Sequence, residues 1–350
     1  MTVAVVVPTY KRPHLLKLLI EDITTQETLP SQLTVIDGAP HEDHVMNMLQ
    51  SLALPFAVCY VPSNHGNLPY QRYLGWLASN QHDQIIYLDD DLRLPDQRFL
   101  DEISQTFAQY PDVVGVTART IFPEGTSEIE KLRSGSSILK LFVKLLGNNR
   151  HLKPGGITPT GHRLLPPNEH DHEAVDWLQG RVMAFRTSAL EESDFRDDLF
   201  AMYELRQGKA EDTILSRFVM RKGPLMYTNT TYADHPNADA PQAFPNKARP
   251  GAFAIAYSRR YINDTFRVPE QPRFSDRMAL LKGYLGNSAT SWLRAIIKPT
   301  AVNFAYALGY TQGAVKGLLS SPSAQDLTPD IQWRADARQA LANKIDLPAS

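Results

Sequence analysis

One cysteine, Cys59, occurs in 350 residues, so no disulfide can form within the chain and no cysteine-based zinc site can be built. No window approaches ~20 consecutive apolar residues, so no helix is expected to span a bilayer. No G-x-G-x-x-G follows a strand-like run, which argues against a dinucleotide-dependent dehydrogenase. Net charge is only -2, too little of either sign for a global field that draws in nucleic acid. Internal repeats and low-complexity tracts are absent. The opening Met1 to Pro8 lacks a basic n-region and is too short for a leader, so it reads as a strand. What is present is ordinary globular composition, 43% hydrophobic and 21% charged. At roughly 150 residues per domain, this length fits two units or one large α/β domain with an appendage.

The first third alternates two hydrophobic periods. Val3 to Val7, closed by Pro8, predicts a strand buried on both faces. Pro13 opens a helix that carries Leu15, Leu16, Leu18, Leu19 and Ile23. Strand signals recur at Leu33–Ile36, Phe56–Val61, Gln84–Leu88 and Val113–Thr117. Helical signals fall between them at His41–Leu52, Asn67–Ala78 and Asp96–Tyr110. Such an order implies an α/β fold with a mostly parallel central sheet covered by helices on both faces. Regularity fails from Phe122 to Asp176, which is expected to be a functional cover with a short helix at Ser137–Leu146. A strand at Arg181–Phe185 and a helix near Ala210–Arg221 follow, and beyond Pro272 the chain reads as helical to near Ser320.

Ligands of open parallel sheets bind beyond the carboxyl ends of the strands. Polar clusters fall at those ends: Pro8-Thr9-Tyr10-Lys11-Arg12, then Asp37, then Asn64-His65-Gly66-Asn67, then Asp89-Asp90-Asp91. Three consecutive carboxylates repel one another unless a cation sits among them. The cluster reads either as a divalent-ion site shared with a diphosphate or as a solvated acidic turn before the helix at Asp96.

In order and spacing, Pro8-Thr9-Tyr10, Asp37, the run from Asn64 to Gly75 with Arg72, and Leu88 to Asp91 resemble the nucleotide-sugar motifs of family 2 glycosyltransferases, which have the GT-A fold. The resemblance spans about residues 3–118 and resumes over Trp177 to His235. It implies that Pro8, Thr9, Tyr10 and Asp37 hold the nucleoside, that Arg72 lies near the donor phosphates, and that Asp90 lies near the ribose. Asp89 and Asp91 then form the DxD pair, with Asp91 the direct ligand of Mn²⁺ or Mg²⁺ and His235 a further ligand. Gln71-Arg72-Tyr73 departs from the family's usual Ala-Arg-Asn while keeping the arginine. Glu211-Asp212 is similar to the family's Glu-Asp motif, which makes Asp212 the general base of an inverting transfer. Trp177, Gly180 and Glu211 fall on the acceptor side by the same resemblance. Trp177 reads equally as a platform for a sugar ring or as a core tryptophan. His170-Asp171-His172-Glu173 has a metal-like composition, but its spacing in a loop is nonspecific.

The implied activity moves a sugar from a nucleotide diphosphate sugar, most commonly a UDP-sugar, to a hydroxyl on a glycan or lipid-linked acceptor in cell-surface polysaccharide or glycolipid assembly. The competing readings are a sugar-phosphate nucleotidyltransferase, disfavoured because the first turn has no glycine, and a non-catalytic sugar-nucleotide or glycan-binding module. Expected boundaries are a GT-A-like catalytic unit over 1–270 and a helical extension over 271–350. The catalytic unit divides into a donor half at 1–118, an insert at 122–176 and an acceptor half at 177–240. No acidic residue occurs between Arg277 and Gln325, whereas Arg277, Lys282, Arg294, Lys298 and Lys316 do. Leu280, Leu281, Tyr284, Leu285, Trp292, Leu293, Ile296 and Ile297 are mixed among them. That pattern suits a cytoplasmic protein lying on an anionic membrane surface, or helices packed on the catalytic unit or on a second subunit.

Overall fold

The computed structural model describes residues 1–42, 44–121, 154–164, 166, 170–236, 245–267, 270–320 and 332–349. Nine strands form one sheet: β1 (Val3–Thr9), β2 (Gln32–Asp37), β3 (Ala57–Pro62), β4 (Gln84–Leu88), β5 (Gly115–Ile121), β6 (His172–Val175), β7 (Val182–Arg186), β8 (Leu225–Asp234) and β9 (Ile345–Leu347). Their order is β6-β8-β5-β7-β4-β1-β2-β3-β9. β1 to β5 and β8 run in one direction, while β6, β7 and β9 oppose them. The sheet is therefore mostly parallel, as expected, with an antiparallel strand inserted at its centre and one at each edge.

Pleating sorts β1 between two cores. Val3, Val5 and Val7 join the layer under α1 (Pro13–Thr24), α2 (His44–Gln50) and α4 (Phe99–Gln109). Val6 faces the opposite layer, under α3 (Leu68–Ser79), with Tyr70, Tyr73 and Leu74. The strand runs two residues past Val7, through Pro8. Pro8 lies beyond Val6, the last residue of β1 paired with β4, so its missing N–H falls where only β2 flanks the strand.

Gly75 shows how closely α3 rests on β1. A Cβ there would stand 2.3 Å from Val6 Cγ1. Glycine costs an exposed helix about 1 kcal/mol relative to alanine, so propensity alone favours Gly75→Ala. Here overpacking should win, and we expect that substitution to destabilise the fold by roughly 1–3 kcal/mol. A urea midpoint at or above that of the native chain would contradict this.

Beyond β7 come α5 (Asp197–Glu204), α6 (Glu211–Val219), α7 (Pro245–Thr265), α8 (Phe274–Ile297), α9 (Ala301–Leu319) and α10 (Gln332–Ala342). Two sequence expectations change here. The irregular stretch ends earlier than Asp176, because His172 to Val175 forms the edge strand β6 against β8. The C-terminal region is helical as expected, and after α10 it ends in the three-residue strand β9, which pairs antiparallel with β3. It is also not set apart: Trp333 of α10 stacks on Phe200 at 4.8 Å, and α7 shares a core with α8 and α9 across residue 270. The expected helix at 137–146 lies outside the described residues.

Candidate active site

Three parallel strand ends and the centre of α3 converge on one edge of the sheet. Thr9 and Asp37 are register partners at the ends of β1 and β2. Asp37 is buried; its carboxylate accepts from the Ala39 N–H at 2.9 Å and the Tyr60 hydroxyl at 3.0 Å. Burial raises its pKa against those two donors. Tyr10 is half exposed, and its ring lies over Gly38 and Gly66, where added Cβ atoms would meet it at 3.0 and 3.1 Å. Lys11, in the left-handed region at φ 57°, turns the chain out of the strand and pairs with Glu42.

The departure at Gln71 has a structural account. Its Nε2 donates to the carbonyls of Thr9 at 3.0 Å and Ile36 at 3.1 Å, tying the ends of β1 and β2 to α3. Arg72, one residue on, is buried rather than on the helix surface. It donates to the Gly180 carbonyl at 2.9 Å and pairs with Glu211 Oε1 at 3.1 Å.

The three aspartates after β4 have separate environments. Asp89 keeps some solvent contact but is surrounded by protein, and burial pushes its carboxyl up to about 7 even with Arg72 pulling the other way. Asp90 is raised by burial, opposed by the Thr9 hydroxyl at 2.7 Å and Arg12 at 3.1 Å. At Asp91, burial is outweighed by His235 and Arg12, and the carboxyl stays below its ordinary value. Arg12 Nη1 lies 3.0 Å from Asp91 Oδ2, and His235 Nε2 lies 3.3 Å from Asp91 Oδ1. Repulsion within the triplet is thus relieved by a guanidinium of the chain itself. Sequence reasoning quoted Arg12 but gave it no role.

An irregularity in β8 brings His235 to this place. Ala118 of β5 pairs with Thr228, but the next residue, Arg119, pairs with Tyr232. Residues 229–231 bulge out and the strand then resumes, ending at Asp234. Among the described residues no three His, Cys, Asp or Glu side chains form a ready-made metal cluster. Asp91 and His235 are two such donors in contact, and this pair fits an ion whose other ligands come from a diphosphate.

The second carboxylate pair opens α6 after Ala210, whose φ of 66° turns the chain sharply. Asp212 is buried. Its Oδ2 accepts from Arg163 Nη1 at 2.8 Å and from the Gly180 N–H at 3.1 Å; its Oδ1 accepts from the Thr213 N–H at 2.7 Å. Burial works to raise this carboxyl, but Arg163 and then Arg72 outweigh it, so it lies below its ordinary value and is ionised near neutrality. Glu211 faces Arg72 with one oxygen and accepts from the Tyr203 hydroxyl with the other. At Gly180 a Cβ would lie 3.1 Å from Asp212 Cβ and 3.3 Å from Arg72 Nη2, so glycine eases the close approach of these two side chains.

Two residues singled out in the sequence have structural surroundings. Trp177 is a core residue: it packs with Ile157, Leu199 and Met202, and the Arg163 guanidinium lies 4.5 Å from its ring centre. The sugar-platform alternative is therefore not the one adopted. His172 belongs to β6, with Nε2 3.2 Å from Thr106 Oγ1, far from a metal-like cluster in role and surroundings. Arg163 and Tyr203 were missed altogether. Both reach the carboxylates from segments without a motif, so no sequence signal could have found them.

Residues 4–165 match the family model described as Glycosyl transferase family 2. The match takes in the strand ends that carry Thr9, Asp37 and the three aspartates after β4. A curated relative, the O-antigen biosynthesis protein RfbC of Myxococcus xanthus, is 26% identical over 126 residues, which is 35% of this chain and 10% of that protein. The chain thus matches a tenth of that relative's length. Among solved structures, the mannosyltransferase PcManGT from Pyrobaculum calidifontis, in complex with GDP-Man and Mn²⁺, aligns with 90% of this chain and 86% of its own, at TM-score 0.49 and 14% identity. S. aureus TarS 1-349 in complex with UDP-GlcNAc aligns with 92% of this chain and 93% of its own, at TM-score 0.44 and 12% identity.

Proposed function

We propose that the protein is an inverting glycosyltransferase that moves a sugar from a nucleotide diphosphate sugar, a UDP-sugar in the first instance, to a hydroxyl of a glycan or lipid-linked acceptor. The observation that carries this reading is the connection between two carboxylate centres. Arg72 pairs with Glu211 and is within electrostatic reach of both Asp212 and Asp89, so an ionised carboxylate lies near the strand ends at which the donor would bind.

In this reading Pro8, Thr9, Tyr10 and Asp37 border the nucleoside. Asp90, held by Thr9 and Arg12, would lie near the ribose. Asp91 and His235, with Asp89 beside them, would hold Mn²⁺ or Mg²⁺, which when bound offsets the charge of the departing diphosphate. Arg12 and Arg72 add fixed positive charge on either side of the aspartate loop. Asp212 takes the proton of the acceptor hydroxyl as its oxygen attacks the anomeric carbon from the face opposite the leaving group. Glu211 and Gly180 hold the geometry around it. The relative named for O-antigen biosynthesis supports a place in cell-surface polysaccharide assembly.

The test is a thermal-shift screen of nucleotide sugars with and without Mn²⁺, followed by donor hydrolysis with the best ligand. Hydrolysis that depends on Asp212 is expected. A binding module would bind without turnover, and a nucleotidyltransferase would release a sugar phosphate instead of a nucleoside diphosphate.

Arg163 must loosen its hold before Asp212 can take a proton, and it sets the charge of that base meanwhile. In Arg163→Gln, burial of Asp212 is opposed mainly by Arg72, so the carboxyl rises. The acidic limb of the pH–rate profile should therefore move to higher pH than in the native protein. An unmoved limb would remove Arg163 from control of the base.

A further inference from the structure

We infer that the hairpin of α8 and α9 is a docking face for an anionic lipid bilayer. The inference rests on this hairpin alone and stands whatever sugar is transferred. α8 sends Leu280 and Tyr284 into the core, with Ala252, Ala256, Tyr310 and Ala314. Its opposite side presents Leu285, Trp292 and Ile296, and the first and last of these are 61% and 68% exposed. Their spacing of seven and four residues puts them on one stripe.

α9 repeats the division. Ala307, Gly309, Gly313 and Ala314 are buried, whereas Phe304, Leu308, Val315 and Leu318 are exposed. The two stripes join, because the Trp292 and Phe304 rings lie 6.4 Å apart and the Trp292 indole N–H donates to Thr311 Oγ1 at 3.0 Å. The result is a continuous apolar surface on two helices fixed to the body of the protein. It is larger than the scattered exposed apolar side chains that need no explanation. No helix among the described residues is long and apolar enough to cross a membrane, so the surface would lie on a bilayer and not span it.

Charge selects the occupant. Lys282, Arg294 and Lys298 are exposed on this hairpin, and from Arg277 to Gln325 the sequence contains no Asp or Glu. Lys282 flanks the stripe and Lys298 follows its end, so a second copy docked by the same face would bring like charges together with no carboxylate of the hairpin between them. An anionic bilayer supplies both a partner for the cations and an apolar layer for the stripe. Trp292, with its indole N–H already bonded and its ring beside the stripe, suits the boundary between headgroups and acyl chains.

The experiment is flotation of the full chain with phosphatidylcholine vesicles and with vesicles containing about a third phosphatidylglycerol, at low and high salt. Binding is expected only to the anionic vesicles and only at low salt. Lys298→Gln should weaken it about fivefold, and Leu285→Glu with Ile296→Glu should abolish it. All three hairpin positions are exposed, so the variants should retain the native melting temperature and donor hydrolysis. Failure of the native chain to float at low salt would overturn the proposal, as would equal flotation of the double glutamate variant. A concentration-dependent dimer in sedimentation velocity that the double variant abolishes would assign the face to a second copy and overturn it equally.

Discussion

Asp212→Asn should reduce turnover by about 10² or more while leaving donor affinity close to native. The substitution keeps the volume and planar shape of a buried side chain in a close setting, where a Cβ on Gly180 would stand 3.1 Å from Asp212 Cβ. What it removes is the charge that Arg163 and Arg72 stabilise and the capacity to take a proton. The stability sign follows from the same depression. A carboxyl held below its unfolded value contributes stability above the unfolded pKa and loses it as the pH falls through the folded one. Asp212→Asn should therefore flatten the acid side of the stability curve. Turnover, calorimetric donor affinity and urea midpoints across that range separate a lost base from a lost fold. Near-native turnover would remove Asp212 from the mechanism.

Asp91→Asn is the second large effect. Asp91 is the carboxylate of the triplet held below its ordinary value, and it is in contact with His235. Outer-shell partners of metal ligands are worth about 10–100-fold in metal affinity, and a direct ligand should be worth no less. We expect the native protein to bind UDP at least about tenfold more tightly with Mn²⁺ than without, and the variant to lose that difference. Titration calorimetry in the presence and absence of Mn²⁺ measures both. If neither protein responds to Mn²⁺, Arg12 and Arg72 carry the charge of the diphosphate without an ion.

The alternation of strand and helix through residue 121 was legible because each strand there is a short apolar run and each helix has its own apolar stripe. Gln84–Leu88 matches its expected bounds, and Pro13 marks the first turn of α1. Strand ends were legible as site positions for the same reason, since parallel order puts them all on one edge. Long-range pairing was not. The antiparallel placement of β7 between β4 and β5 leaves no mark in local periodicity. β9 is three residues of a polar tail, and only its pairing with β3 makes it a strand.

The site shows the same division. Asp89, Asp91, Asp212 and His235 stand out by residue type and position. Their partners do not: Arg163 stacks on Trp177 from the insert, and Tyr203 reaches Glu211 from α5. Residues 229–231, whose bulge brings His235 back to Asp91, read in sequence as an unremarkable Asn-Thr-Thr. Even the sharp reading of the acidic triplet missed that Arg12, already in view, lies close enough to neutralise it.

The central claim is that Asp212 activates the attacking oxygen from the face opposite the diphosphate. Its most direct test is the configuration of the sugar formed from an α-linked nucleotide donor, read by proton NMR before mutarotation, with water or the acceptor as nucleophile. The β-anomer is the expected first product. An initial α-anomer would contradict a single inverting displacement by this base.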